Sequence, residues 1–298
     1  MKMLRIGTRG SQLALWQANF IRDEINSLFP DIQIDIEIIK TEGDLRTETP
    51  LSEIGGKGVF VKDIENALLE EKIDIAVHSM KDMPSVLPDG LTIGAVTKRK
   101  HAADALVSKN NVQLEDLKPG SRIGTGSLRR KAQIMHHFPE LQVVPIRGNV
   151  DTRLRKLESE GLDAVILAVA GLQRMGFGDR ISQFIDTDIL IPAPGQGIVA
   201  VESRSNDNKT NEILSNLNDL NSLYESLLER SFLKSLGGDC NIPAGCYAKA
   251  DGDSINSIAF ISDENGNGMY TDSIKGNVFD SERLGESLFN KIKENRGS

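Results

Sequence analysis

Two cysteines fall close together near the carboxyl end of this chain, and one of them stands where a thiol could react. Leu236-Gly-Gly-Asp-Cys240-Asn-Ile-Pro243 sets Cys240 in a glycine-rich turn ahead of a proline. Such a cysteine is either a small buried hydrophobe or, on an accessible turn, a nucleophile once something lowers its pKa. Asp239 beside it opposes thiolate formation by like charge. Cys246 is expected within the strand that follows. A second cluster is His78-Ser-Met-Lys-Asp-Met-Pro84, directly after the short apolar stretch Ile73–Val77. Ligands in α/β sheets bind beyond the carboxyl ends of strands, which is where Lys81 and Asp82 fall. Pro84 restricts the residue before it and so fixes the loop. Lys–Asp neighbours are also common as plain surface pairs.

Arginines recur at loop–helix junctions: Arg9 in Thr-Arg-Gly-Ser, Arg129 and Arg130 in Gly-Ser-Leu-Arg-Arg, Arg147 in Ile-Arg-Gly-Asn, Arg174 in Gln-Arg-Met-Gly. Arg153 lies one turn into the helix after Arg147. Several arginines at corresponding strand ends suit a ligand rich in carboxylates, which guanidinium groups bind bidentately. On this reading the arginines act on a ligand rather than on folding, so Arg129→Leu and Arg147→Leu should fold. Between Arg122 and Lys156 the basic residues outnumber the acidic by six, in a chain whose net charge is -8. That local excess points to an anionic ligand inside an acidic protein, although Lys131, Arg155 and Lys156 read as solvated helix surface. Gly195-Gln-Gly197 lacks the context of a nucleotide loop.

Composition excludes other classes. A total of 298 residues predicts about two or three domains, and 39% hydrophobic with 26% charged residues is ordinary globular material. The start, MKMLRIGTRGS, has no apolar stretch of a secretory signal, and the longest apolar run, Ala164–Leu172, is too short for a membrane span. Reduced thiols are therefore expected. The four histidines have no metal-ligand spacing with the cysteines, and no metal is expected. The negative net charge argues against nucleic acid, and the basic segment has Phe138 as its only aromatic, so stacking platforms are missing.

The elements that must position these residues follow from periodicity. Leu4–Thr8 reads as a strand. Ser11 can cap a helix burying Leu13, Trp16, Phe20, Ile21 and Ile25, and Ile32, Ile34, Ile36 and Ile38 alternate with polar residues as a strand. Lys40–Gly58 is polar, glycine-rich and without period, which reads as a mobile loop. A helix from about Val59 to Glu71 and a strand at Ile73–His78 complete a βαβ pattern with a largely parallel sheet. The pattern then restarts: Arg5-Ile-Gly-Thr8 with Ser11 is echoed by Arg122-Ile-Gly-Thr125 with Ser127. Two similar α/β domains follow, each offering a helix N-terminus to an anion. Asn211–Leu236 looks like one long helix ended by Gly237-Gly238. Ala244–Ala250, Ser254–Ser262 and Gly268–Lys275 read as hairpin strands of a small antiparallel α/β domain.

Taken together the segments resemble the porphobilinogen deaminase family along essentially the whole chain. The matching stretches are TRGSQLALWQA (8–18), IGGKGVFVKDIE (54–65), DIAVHSMKDMP (74–84), GTGSLRR (124–130), IRGNVDTRL (146–154), LAVAGLQRMG (167–176), PAPGQG (192–197) and the Cys240 turn. The resemblance implies two similar solute-binding-protein-like α/β domains around a cleft plus a small C-terminal α/β domain with an antiparallel sheet. Their bounds would be 1–97 with 198–215, 103–191, and 220–298. It implies a dipyrromethane cofactor held by Cys240 through a thioether, with Asp82 as the catalytic carboxylate. Arg129, Arg130, Arg147 and Arg153, with Lys81, Thr125 and Ser127, would hold the cofactor; Arg9, Ser11, Arg174 and Gln196 would hold substrate. Lys57 and Phe60 would lie on or beside the mobile loop. The sequence departs from the family at Asp239, where glycine is common.

The implied reaction joins four porphobilinogen molecules on the cofactor, with loss of ammonia, and releases linear hydroxymethylbilane. Asp82 could stabilise positive charge on pyrrole nitrogen and deliver a proton to the leaving amine. The implied setting is a cytoplasmic monomer that passes its product to uroporphyrinogen-III synthase. A solute-binding protein of the same architecture, binding an anion without turnover, is the rival reading; a covalent adduct on Cys240 would dispose of it.

Overall fold

A computed structural model describes residues 3–41, 61–237 and 242–297. Lys57, Phe60 and all but the first two residues of the Lys40–Gly58 loop lie outside the described residues, as does Cys240 with its immediate neighbours. In chain order the first half forms β1 (Met3–Thr8), α1 (Gln12–Leu28), β2 (Gln33–Ile38), α2 (Lys62–Leu69), β3 (Ile75–Ser79) and β4 (Leu91–Val96). There follow β5 (Asp104–Ser108), β6 (Arg122–Gly124), α3 (Leu128–His137), β7 (Gln142–Val144), α4 (Val150–Ser159), β8 (Ala164–Ala168), α5 (Val169–Arg174) and β9 (Gln183–Phe184). The remainder is β10 (Val199–Arg204), α6 (Asn208–Ser215), α7 (Leu220–Ser235), β11 (Ala244–Asp251), β12 (Ser254–Ile261), β13 (Tyr270–Asn277) and α8 (Ser281–Gly297).

The chain gathers into two compact bodies, 1–99 with 198–223, and 100–197 with 224–298. In the first, the strand order is β2-β1-β3-β10-β4. β1 runs parallel to β2 and β3, while β10 is antiparallel to β3 and β4. The βαβ alternation thus gives four strands in one direction, and the returning β10 is inserted against them. One sheet face buries Leu4, Ile6, Ile75 and Val77 against Ala18, Ile21 and Ile25 of α1. The other buries Ala76 and Ile73 under Ile64 and Leu68 of α2. Each fully buried aliphatic contributes about 1.5–3 kcal/mol relative to exposure, so these two faces fix the strands' alternation. Trp16 departs from the expected buried stripe: it is 38% exposed and stacks on Phe20, because Ala18, with Ile21 and Ile25, faces the sheet instead.

The second body repeats the plan with the order β7-β6-β8-β5-β9. β6 is parallel to β7 and β8, and β5 is antiparallel to β8 and β9. The echo seen in sequence extends to hydrogen bonds. Arg5 N–H donates to Asp74 and Arg122 N–H to Asp163, at 2.8 and 2.7 Å. Asp74 N–H and Asp163 N–H return bonds to the carbonyls of Arg5 and Arg122. The same body holds the antiparallel sheet β11-β12-β13, whose core joins Leu228 and Phe232 of α7 to Leu288 and Ile292 of α8.

The single helix expected over Asn211–Leu236 is two, α6 and α7. The chain turns between them, where Asn218 Oδ1 accepts from Val96 N–H at 2.7 Å and Asp219 N–H donates to Val96 O. Asp219 Oδ1 then caps the second helix by accepting from Ser222 N–H. No helix among the described residues is long and apolar enough to cross a membrane.

Candidate functional site

In the first body, β3 runs out at Ser79 into a single 3-10 turn, Met80–Asp82. Met80 and Met83 are buried on either side, which pins the turn and leaves Asp82 exposed at its end. Asp82 borders a cavity of about 70 Å³ together with Arg9, Ser11, Gln17, His78 and Ser79. Ser11 is the α1 cap: its Oγ accepts from Ala14 N–H at 3.3 Å. Gln17 Nε2 donates to Ser79 Oγ at 2.8 Å and fastens α1 to the end of β3. Lys81, in the same 3-10 turn, is half-buried beside Asp82.

In the second body the parallel strands β6, β7 and β8 lead at their carboxyl ends to the other predicted residues. After β6, Thr125 is buried and its Oγ1 accepts from Ser127 N–H at 3.3 Å. Ser127 caps α3 by accepting from Arg130 N–H. Gly126 is required here, since a Cβ would sit 2.6 Å from the Ile146 carbonyl oxygen. That close approach brings the β6 and β7 ends together, with Arg147 half-buried just past Ile146 and Arg153 in the first turns of α4.

Arg129 and Arg130 are 7% and 5% exposed, and both meet Asp104, which is fully buried. Arg129 Nη2 donates to Asp104 Oδ2 at 2.6 Å, and Arg130 Nη2 to Asp104 Oδ1 at 2.7 Å. Their Nη1 atoms donate to the carbonyls of Ile191 and Ile166. Gln196 Nε2 adds bonds to Asp104 Oδ1 and Ala102 O. Burial alone would push the Asp104 carboxyl up, but the Arg129 and Arg130 charges outweigh it and hold it well below the usual carboxylate range. Burial draws Arg129 down, against the opposing pull of Asp104.

Arg174 donates from Nη2 to Gly197 O at 2.8 Å. Burial lowers its guanidinium to about 10, so it stays cationic at neutral pH. Gly197 holds a φ of +90°, and its missing Cβ is where the His101 backbone lies. The turn is tied down by buried Glu229, which accepts from Gly195 N–H at 2.6 Å and from Ala248 N–H on β11 at 2.8 Å. Cys246 lies in β11, fully buried, with its Sγ 3.5 Å from Ser257 Oγ; it is sequestered from any ligand.

Two guanidiniums against one carboxylate leave a buried excess of one positive charge, and Arg130 Nε reaches no partner among the described residues. Buried charge demands compensation. The donor set of this body is therefore suited to a group bearing carboxylates. Sequence reading missed Asp104, Glu229, Gln17 and the pair His78–Glu202, whose side chains meet at 3.1 Å. Asp104 and Glu202 carried one signal: each adjoins a short apolar strand run, Ala-Leu-Val and Val-Ala-Val, and a carboxylate buried there needs a partner.

The comparisons with known proteins follow the same line. A family model described as "Porphobilinogen deaminase, dipyromethane cofactor binding domain" matches residues 4–212, and "Porphobilinogen deaminase, C-terminal domain" matches 223–294. Relatives named porphobilinogen deaminase include one from Trichlorobacter lovleyi, 46% identical over 98% of this chain and 93% of that protein. Another, from Geobacter metallireducens, is 44% identical over 98% and 91%. Among solved structures, the methionine-binding protein MetQ is similar at a TM-score of 0.45 and 12% identity, covering 72% of this chain and 89% of that one. The probable amino-acid transporter binding protein ytmK of Bacillus subtilis gives 0.42 and 12%, covering 73% and 90%.

Proposed function

The chain belongs to the porphobilinogen deaminase family, and from that premise we propose how its own side chains divide the reaction. The activity is that of a transferase in tetrapyrrole (porphyrin, heme) biosynthesis, joining porphobilinogen units with loss of ammonia to give hydroxymethylbilane. The dipyrromethane cofactor, when bound, supplies the pyrrole carbon on which the chain of rings grows.

Asp82 is the catalytic carboxylate in this reading. Its acid form gives a proton to the amine of porphobilinogen as ammonia leaves, and its anionic form then stabilises the positive charge on the substrate's pyrrole nitrogen. The observation that carries the assignment is its place at the open end of β3, exposed on a turn pinned by Met80 and Met83, beside a cavity that Arg9, Ser11 and His78 also border. Arg9 and Ser11 border that cavity and orient substrate there; Arg174 and Gln196 are the substrate contacts of the second body. Arg129, Arg130, Arg147 and Arg153, with Lys81, Thr125 and Ser127, hold the cofactor's acetate and propionate groups. Cys240 binds the cofactor as a thioether, with Lys57 and Phe60 on or beside the Lys40–Gly58 segment. The division into three domains, at 1–97 with 198–215, 103–191 and 220–298, is part of the same proposal. So are a cytoplasmic monomer and delivery of the product to uroporphyrinogen-III synthase; the family resemblance supports each.

Steady-state kinetics on Asp82→Asn preloaded with cofactor test the central assignment. General acid–base catalysis contributes about 10²–10⁴-fold, so kcat should fall by at least that lower figure while KM changes much less. A preloaded variant within about threefold of wild type, far short of that range, would remove Asp82 from the role.

A further inference from the structure

Behind the Asp82 cavity stands a group of buried titratable side chains that the reaction as described leaves unused. The register pairs His78 with Ala200 and Ala76 with Glu202, so His78 and Glu202 share one face of the sheet as diagonal neighbours on β3 and β10. Glu202 is fully buried, its Oε2 lies 3.1 Å from His78 Nε2, and its Oε1 reaches no hydrogen-bond partner among the described residues. Glu65 enters from α2, 7% exposed, and its Oε1 is also without a partner. Buried polar atoms left unsatisfied in this way are rare and call for an explanation.

Among the described residues, the charged groups around His78 are few. β10 brings Glu202 and α2 brings Glu65; Arg9 follows β1, while Lys81 and Asp82 follow β3 itself. α1 presents neutral Gln17, and β4 (Leu-Thr-Ile-Gly-Ala-Val) has no charge. Burial first, then the Glu202 charge, push the Glu65 carboxyl up to about 7, with His78 opposing. Glu65 thus exchanges its proton near neutrality. With Nε2 directed at Glu202, Nδ1 is the remaining basic atom of a ring that borders the same cavity as Asp82. A carboxylate fixing one imidazole nitrogen so that the other can carry a proton is a recurrent device of proton transfer.

We propose that His78, oriented by Glu202, passes a proton to Asp82 and so restores the acid form of that carboxyl between successive ammonia losses. The inference rests on Asp82 being the acid. As the Asp82 O–H bond breaks, an N–H bond forms on the substrate amine, and ammonia leaves with the electrons of the C–N bond. The His78 Nδ1–H bond then breaks as Asp82 O–H reforms, and the imidazole takes its next proton from solvent. Glu202 acts only through His78 and is a positioning residue.

The test uses the full-length, cofactor-loaded enzyme and His78→Gln, whose amide can still donate to Glu202 but cannot carry the proton. Thermal unfolding within a few degrees of wild type, KM within about threefold and kcat lowered roughly tenfold or more, short of the full ~10²–10⁴-fold acid–base effect because solvent still reaches exposed Asp82, are expected. Imidazole in the buffer, which can reload exposed Asp82 directly, should restore part of kcat in the variant and leave wild type unchanged. An unaltered kcat, or a loss that imidazole does not relieve, overturns the proposal. Should His78→Gln fail to fold, ring ¹⁵N spectra of the four histidines decide: the His78 titration must move in Asp82→Asn, and an unmoved one overturns the proposal. A preloaded Asp82→Asn of wild-type rate would instead defeat the reading of Asp82, and this proposal with it.

Discussion

Arg129 and Arg147 belong to the same basic segment, yet the structure gives them different work. Arg129 is buried on Asp104 and the Ile191 carbonyl, while Arg147 stands half-buried past the β7 end. Breaking a buried ion pair by removing one partner costs about 3–5 kcal/mol. Arg130 and Gln196 remain on Asp104 in Arg129→Leu, so about 3 kcal/mol, the lower edge of that range, is expected. Arg129→Leu should therefore unfold at least several degrees below wild type, and Arg147→Leu, truncated at a half-buried position, by less, with both impaired in holding the cofactor. Differential scanning calorimetry of the two variants checks this; equal melting temperatures would deny Arg129 its part in the fold. Residue types and spacing revealed the arginines, Asp82 and Cys240 as candidates. They could not reveal Asp104 or Glu202 as partners, because each becomes significant only when strands far apart in sequence bury it beside a cation or an imidazole.

At the scale of elements, periodicity found most helices and strands and failed where phase survives a break. Leu214, Leu217 and Leu220 keep helical spacing straight through the turn between α6 and α7. The turn is made by Asn218 and Asp219 bonding to the Val96 backbone, a contact 122 residues away in sequence and invisible to any local window. α2 carries a different prediction. Its Glu65 has a folded-state pKa raised to about 7 by burial and by Glu202, so the folded protein holds that proton more tightly than the unfolded chain does. The associated stability is present below the unfolded value of 4.5 and is lost as pH rises through about 7. The melting temperature should fall between pH 5.5 and pH 8, and Glu65→Gln should reduce that fall by several degrees while raising stability at pH 8. Melting curves at the two pH values suffice; a variant with the wild-type slope would show that Glu65 does not titrate in this range. Gly197→Ala tests a second element-level constraint. A Cβ there collides with the His101 backbone at a φ reserved for glycine, so stability should drop by about 1 kcal/mol or more and soluble yield should fall with it.

At the scale of the molecule, the two five-stranded sheets are one plan used twice. In each, the strand that runs against the others is the first one after the chain crosses from the other body: β5 follows Lys100, and β10 follows Gly197. The six-residue echo hinted at this, and the paired Asp74 and Asp163 bonds extend it. The reversed direction of β5 and β10, and the return of β10 to the first sheet, were not legible from periodicity, which reads strands but not the sheet a strand joins. The central claim concerns the whole molecule as well: that it builds a pyrrole chain covalently on itself. The intact-mass spectrum of the purified protein, taken before and during exposure to porphobilinogen, tests it directly. The account predicts a resting mass above the sequence mass by one dipyrromethane, lost in Cys240→Ser. During turnover it predicts a ladder of up to four further steps, each the mass of porphobilinogen less ammonia. A protein that stays at its sequence mass throughout, with no ladder, would contradict it.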